Sequence, residues 1–188
     1  MDYLILGFLT GLSLILAIGA QNIFVIEQGL KKQYIFIVCL ICSISDFLLI
    51  FLGIFLFQYL NYFFTPTIEL VFNILLLIFL LHFIWGKIKT KVSETSFDVD
   101  SKTNNLSNIV VKTLGFTFLN PHVYSDTVFF LGNFSKSLSQ VDKYYFGAGA
   151  AISSFLFFFI IGYLSKYFSK YLKSATVWKR INYLIILF

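Results

Sequence analysis

The sequence predicts an all-α integral membrane protein: a helical bundle of five complete spans plus a truncated sixth, built as two three-helix repeats with broken helices in spans one and four. Three observations lead there. Of the 188 residues, 59% are hydrophobic, 20% aromatic and only 12% charged, against roughly 45–50% apolar and about 25% charged in soluble domains; the mean hydropathy is +0.86. Five stretches are apolar over the length of about 20 residues that a helix needs to cross a bilayer. Two of them carry polar motifs, Gly19-Ala20-Gln21-Asn22 and Asn120-Pro121-His122-Val123-Tyr124-Ser125-Asp126, at depths where water cannot satisfy polar groups, which is expected where a chain conducts something polar. The composition excludes a soluble enzyme. No Gly-rich phosphate loop, zinc-ligand spacing or nucleic-acid motif occurs, so no cofactor, metal or nucleic-acid partner is expected. The net charge of +5 is attributed to basic loops on the cytoplasmic side.

In order, the predicted spans are Tyr3–Ile26, Tyr34–Tyr59, Thr67–Trp85, Val111–Leu131 and Tyr144–Leu164. The first is read as an uncleaved span rather than a signal peptide. It starts Met1-Asp2-Tyr3 with no basic residue, and its apolar run continues past Gln21-Asn22. A sixth stretch, Ile181–Phe188, ends too early to cross and points to a missing C-terminal piece.

The polar stretch Lys87–Ser107, with Glu94, Asp98, Asp100, Asn104 and Asn105, reads as a linker. It divides the chain into a first three-span half (1–86), a cytoplasmic linker (87–110) and a second half with an incomplete last span (111–188). Each polar motif falls in the first span of its half, as in small transporters built from repeats. Basic residues concentrate in alternate loops: Lys31 and Lys32; Lys87, Lys89, Lys91, Lys102 and Lys112; then Lys166, Lys170, Lys173, Lys179 and Arg180. The positive-inside rule puts these loops in the cytoplasm and the N-terminus outside.

The chemistry is expected at the two motifs. Gly19 is read as the point where the first span leaves the helix, with Gln21 and Asn22 covering the freed backbone groups. Pro121 removes a helical hydrogen bond, and Asn120 and His122 offer replacements. A broken helix presents amides at one end and carbonyls at the other, attracting anions and cations respectively. A charge at the bilayer centre costs roughly 2.5–3.5 kcal/mol, so Asp46 in span two and Asp126 in span four should pair, protonate or face water. Asp126 stacks near His122, four positions earlier. Asp46 has no cationic partner in any span, which suits a visiting cation or a proton. His82 and Glu69 are read as interfacial, and Asn73 as a helix–helix contact. Cys39 and Cys42 form a Cys-Leu-Ile-Cys pair flanked by Ile37, Val38, Leu40 and Ile41. Packing is the expected role there; a membrane thiol-redox protein using this pair is the enzymatic alternative.

These residues resemble the LysE family of amino-acid exporters, especially its lysine and arginine branch. Gly19-Ala20-Gln21-Asn22-Ile23-Phe24-Val25 with Gln28-Gly29, Ser45-Asp46 with Gly53, Gly115-Phe116-Thr117, and Leu119-Asn120-Pro121-His122-Val123-Tyr124 with Asp126 look like its span signatures. Trp178-Lys179-Arg180-Ile181-Asn182 looks like the entrance to the last span. Glu27 and Ser125 depart from the pattern, as does the short sixth span. The resemblance implies efflux of basic L-amino acids (lysine, arginine) across a bacterial inner membrane, driven by the proton-motive force. It makes Gln21, Asn22, Asp46, Asn120, His122, Tyr124 and Asp126 the substrate-binding or proton-coupling set, with Gly19 and Pro121 at the helix breaks. Partners would be the amino acid, protons, the bilayer and a second copy of the chain. Export of other amino acids or of metal cations is the alternative within the superfamily.

Overall fold

The structure is a computed structural model that describes residues 2–17, 19–60, 74 and 105–169. Nearly all of span three, most of the linker and the truncated sixth span lie outside the described residues. Within them every regular element is helical: α1 (Asp2–Ile15), α2 (Ala20–Lys31), α3 (Ile35–Leu60), α4 (Leu106–Phe118), the single turn α5 (Pro121–Val123), a π-helical segment (Tyr124–Phe130), α6 (Leu131–Ser135) and α7 (Gln140–Tyr167).

Two helices are long and apolar enough to cross a membrane unaided, within α3 (Ile35–Phe57) and along α7 (Gln140–Tyr167). They coincide with predicted spans two and five and make this a multi-pass membrane protein. Predicted span one is not one straight helix. The 14 residues of α1 reach about 21 Å at 1.5 Å per residue, and α2 then departs at 80°. Only the bent pair together has the length of a span. Predicted span four is likewise divided, into α4, α5, the π segment and α6. Helix α4 begins at Leu106, earlier than the predicted start at Val111, because Asn105 takes an extended conformation and its carbonyl accepts from Asn108 and Ile109.

Helix α7 is the axis of the assembly, packing against α1, α3 and α2 in decreasing order of extent. Small residues permit this. A Cβ on Gly149 would strike the backbone of Leu4 and Phe8, and one on Gly7 would strike the backbone of Phe146. Where lipid gives no hydrophobic drive for helix association, such close approach gains dispersion contacts instead. Helix α3 meets the second broken segment backbone to backbone in the same way: a Cβ on Gly53 would lie 2.6 Å from Val128 O, and one on Gly132 would lie 2.8 Å from Gly53 O.

The apolar core is in two clusters. One gathers Phe24, Val25, Val38, Cys39, Cys42 and Phe158; the other gathers Ile50, Ile54, Leu131, Phe146, Ala150 and Ala151. On α3 the two are separated by the stretch around Asp46, and on α7 by the stretch around Ser154. A polar layer therefore lies between two apolar ones. Most other buried hydroxyls are neutralised locally: Ser43, Thr113, Thr117 and Ser165 each donate to the carbonyl four residues back at 2.7–2.9 Å.

These crossings predict that Gly149→Ala destabilises the protein by about 1–3 kcal/mol through overpacking. Gly115→Ala, with nothing within 4 Å of its added Cβ, should leave stability unchanged or raised. Thermal unfolding in one detergent compares the two.

Candidate functional site: a polar cavity where two broken helices meet

The first break falls between the end of α1 at Ile15 and the start of α2 at Ala20. Asn22 repairs it: its Nδ2 donates to Ile15 O at 3.0 Å and to Ala17 O at 3.3 Å, taking carbonyls that the end of α1 leaves free. Gly19 precedes α2 in an extended conformation, φ −105 and ψ −178, which any residue adopts. The chain leaves the helix here, as the sequence analysis expected, in a conformation open to other residues. Gly19 supplies no side-chain cap, and the first bond of the α2 ladder runs from Ile23 N–H to Gly19 O at 3.1 Å. The amides of Ala20, Gln21 and Asn22 therefore lie outside the ladder, at the positive end of the helix.

The second break falls at Leu119-Asn120. Asn120 acts as a cap, its Oδ1 accepting from His122 N–H at 3.2 Å. Pro121 opens α5, just after the break where the sequence analysis placed it. At a first helical position its missing N–H has no intrahelical bond to lose. The π segment that follows carries Asp126, whose carbonyl accepts from Leu131 N–H; this wider turn is a feature often found at functional sites.

The breaks face each other. A Cβ on Gly19 would lie 3.7 Å from Asn120 Nδ2 and 3.8 Å from His122 Cδ2. Between them, α3 and α7 lies a cavity of about 50 Å³, with Gly19, Gln21, Asn22, Asn120, His122 and Asp126 from the broken helices in its wall. Asp46, Thr127 and Ser154 add to it. That volume holds a few waters and is far below the several hundred Å³ of a small-molecule pocket.

The two acids differ. Asp46 is 4% exposed. Its Oδ2 accepts from Ser154 Oγ at 2.7 Å, while Oδ1 is buried without a hydrogen-bond partner. Asp126 is only half-buried, and its Oδ2 lies 3.2 Å from His122 Nδ1. Among the described residues, no Lys or Arg lines the cavity. Gln21 is 5% exposed and its Nε2 has no partner. Its amide approaches the Asp46 carboxylate without reaching hydrogen-bond geometry.

Of the residues singled out from sequence, seven thus share one cavity wall, and Tyr124 is not in it. Pro121 is at the break. Ser154 and Thr127 were missed. The sequence signal for Ser154 was Ser153-Ser154 in an otherwise apolar stretch, together with the need of Asp46 for a donor. Cys39 and Cys42 are buried and unbridged, and Cys39 Sγ donates to Phe158 O at 3.1 Å. Both belong to an apolar cluster rather than to the cavity wall. Glu27, a departure from the family pattern, pairs with Lys31 at 2.7 Å one turn away.

A match to the LysE type translocators extends over residues 12–188. This chain belongs to that family. The family is one of transporters, not of enzymes. The arginine exporter protein ArgO of Pectobacterium atrosepticum is 35% identical over 191 residues, covering 95% of this chain and 88% of the relative. ArgO of Salmonella typhimurium is 33% identical, covering 98% and 88%. No solved structure matches the chain. The Gly19–Val25 and Leu119–Asp126 motifs that carried the resemblance are the two segments that meet at the cavity.

Removing the Asn22 side chain orphans two carbonyls at the first break. Asn22→Ala is expected to cost about 1–3 kcal/mol, read as a lower unfolding temperature in detergent, with faster amide exchange confined to the α1–α2 junction.

Proposed function

We propose that this protein exports basic L-amino acids, arginine and lysine, across the bacterial inner membrane, coupled to the proton-motive force. The observation that carries the proposal is the meeting of two broken helices around two acidic side chains, with no Lys or Arg among the described residues of the wall. A basic amino acid brings an α-carboxylate, an α-ammonium and a cationic side chain. The carboxylates suit the two cations and the free amide end of α2 suits the anion. The names of the relatives, arginine exporters, agree with this chemistry.

Export of a cation works against an interior-negative potential by about 2.3 kcal/mol per charge per 100 mV, so coupling is required. Asp126, beside an imidazole, and Asp46, with one free oxygen, are the groups able to carry the coupling proton. The breaks, one between α1 and α2 and the other at 119–120, interrupt the backbone ladder on either side of the cavity, and the wall is free to move there as a solute is loaded. The wider architecture belongs to the same proposal: two three-span halves joined by the 87–110 linker, basic loops in the cytoplasm, the N-terminus outside, a lipid-facing exterior and a dimer of two copies.

Cells lacking their own exporter and fed arginyl or lysyl dipeptides accumulate the free amino acid, and this protein should relieve that. In inverted vesicles with a proton gradient, Asp46→Asn and Asp126→Asn should each lower labelled arginine uptake about tenfold or more, the worth of one charged hydrogen bond. Cys39→Ser, which keeps a donor toward Phe158, should transport near the normal rate. Full-rate transport by both aspartate variants would show that the carboxylates are not the site.

A further inference from the structure

Two buried polar atoms of opposite character, on residues of the cavity wall, make no hydrogen bond of good geometry. Gln21 Nε2 is a donor and Asp46 Oδ1 an acceptor; their residues are 5% and 4% exposed, and both line the wall. Native proteins rarely leave such groups unmatched, and when they do the site commonly receives its partners from outside. Ser154 accounts for the state of Asp46. By donating to Oδ2 at 2.7 Å it fixes the carboxylate, yet leaves the second oxygen unsatisfied. A serine donating to its own helix, as Ser153 does to Ala150 O at 2.7 Å, would leave Asp46 unheld.

We propose that Gln21 and Asp46, with Ser154 as the positioning residue, form the receptor for the α-amino-acid head group. Gln21 Nε2 donates to the α-carboxylate and Asp46 Oδ1 accepts from the α-ammonium. This rests on the exporter reading above and deepens it. The head group carries an anion and a cation on one carbon, and the wall offers a donor and an acceptor that already approach each other. The first-turn amides of Gln21 and Asn22 add positive potential on the carboxylate side. The basic side chain is then directed toward Asp126, the more exposed of the two acids at 22%. Asp46 and Asp126 have different work under this assignment: the first reads what all amino acids share, the second reads what makes arginine and lysine basic.

The test uses labelled arginine uptake into inverted vesicles, with two competitors that each lack one head-group charge: agmatine, without the carboxylate, and desamino-arginine, without the α-ammonium. In the unaltered protein both should compete about tenfold or more weakly than arginine. Gln21→Leu should raise the arginine KM about tenfold with kcat retained and leave agmatine unchanged; Gln21→Glu should turn the preference toward agmatine. Ser154→Ala should weaken arginine and agmatine together and spare desamino-arginine. Agmatine competing as well as arginine in the unaltered protein overturns the assignment, as does Gln21→Leu weakening both ligands equally. Equal weakening of all three ligands by Ser154→Ala also counts against it. Should a variant fail to assemble, the competition in the unaltered protein decides by itself. If unaltered vesicles take up no arginine, the exporter reading falls and this assignment with it; uptake without head-group selectivity removes the assignment alone.

Discussion

A carboxylate placed between two apolar layers must find donors inside the protein, because lipid offers none. Asp46 is that carboxylate, and its hydrogen bond from Ser154 ties the long helix α3 to the axial helix α7 at the height of the polar layer. Where α3 and α7 cross, a Cβ on Gly147 would meet Ile54 and Phe51, and one on Gly162 would meet Cys39 and Ile35. Bulkier residues at these two positions would push α3 and α7 apart and take Asp46 beyond the reach of the serine hydroxyl. Packing and polarity are thus one constraint here: small residues on the helix surfaces let a buried acid be held by a short side chain.

The helix breaks follow the same logic. Interrupting a helix in a membrane frees carbonyls and amides that cost free energy unless matched. Asn22 takes two carbonyls at the first break and Asn120 takes an amide at the second. Pro121 begins a helix with one fewer amide to satisfy. With the breaks largely self-satisfied, two of the buried polar atoms left over, Gln21 Nε2 and Asp46 Oδ1, belong to residues of the cavity wall. Because α1 and α2 share no continuous hydrogen-bond ladder, and α4 and α5 share none either, the cavity wall is also where relative movement costs least.

Much of this was legible in the sequence. The all-helical membrane class followed from composition, and the intact helices α3 and α7 from uninterrupted apolar length. Polarity against that background marked Gln21, Asn22, Asp46, Asn120, His122 and Asp126, and these six line one cavity, while Tyr124, marked in the same way, does not. Gly19 and Pro121 lie at the two breaks, the first in ordinary extended backbone and the second at the start of a helix. Local pattern announces that a helix is interrupted; it does not say which residue caps which end, because that depends on how sharply the chain turns afterwards.

The sequence by itself determined which residues are too polar for lipid and must be enclosed, since transfer free energy depends on residue type and burial alone. The tertiary structure decided who meets whom. Gly19 opposite Asn120, Ser154 beneath Asp46, and an amide donor next to a half-satisfied carboxylate are contacts between residues up to more than a hundred positions apart, fixed by the heights and angles at which small-residue helix faces pack. No periodicity within one helix encodes them.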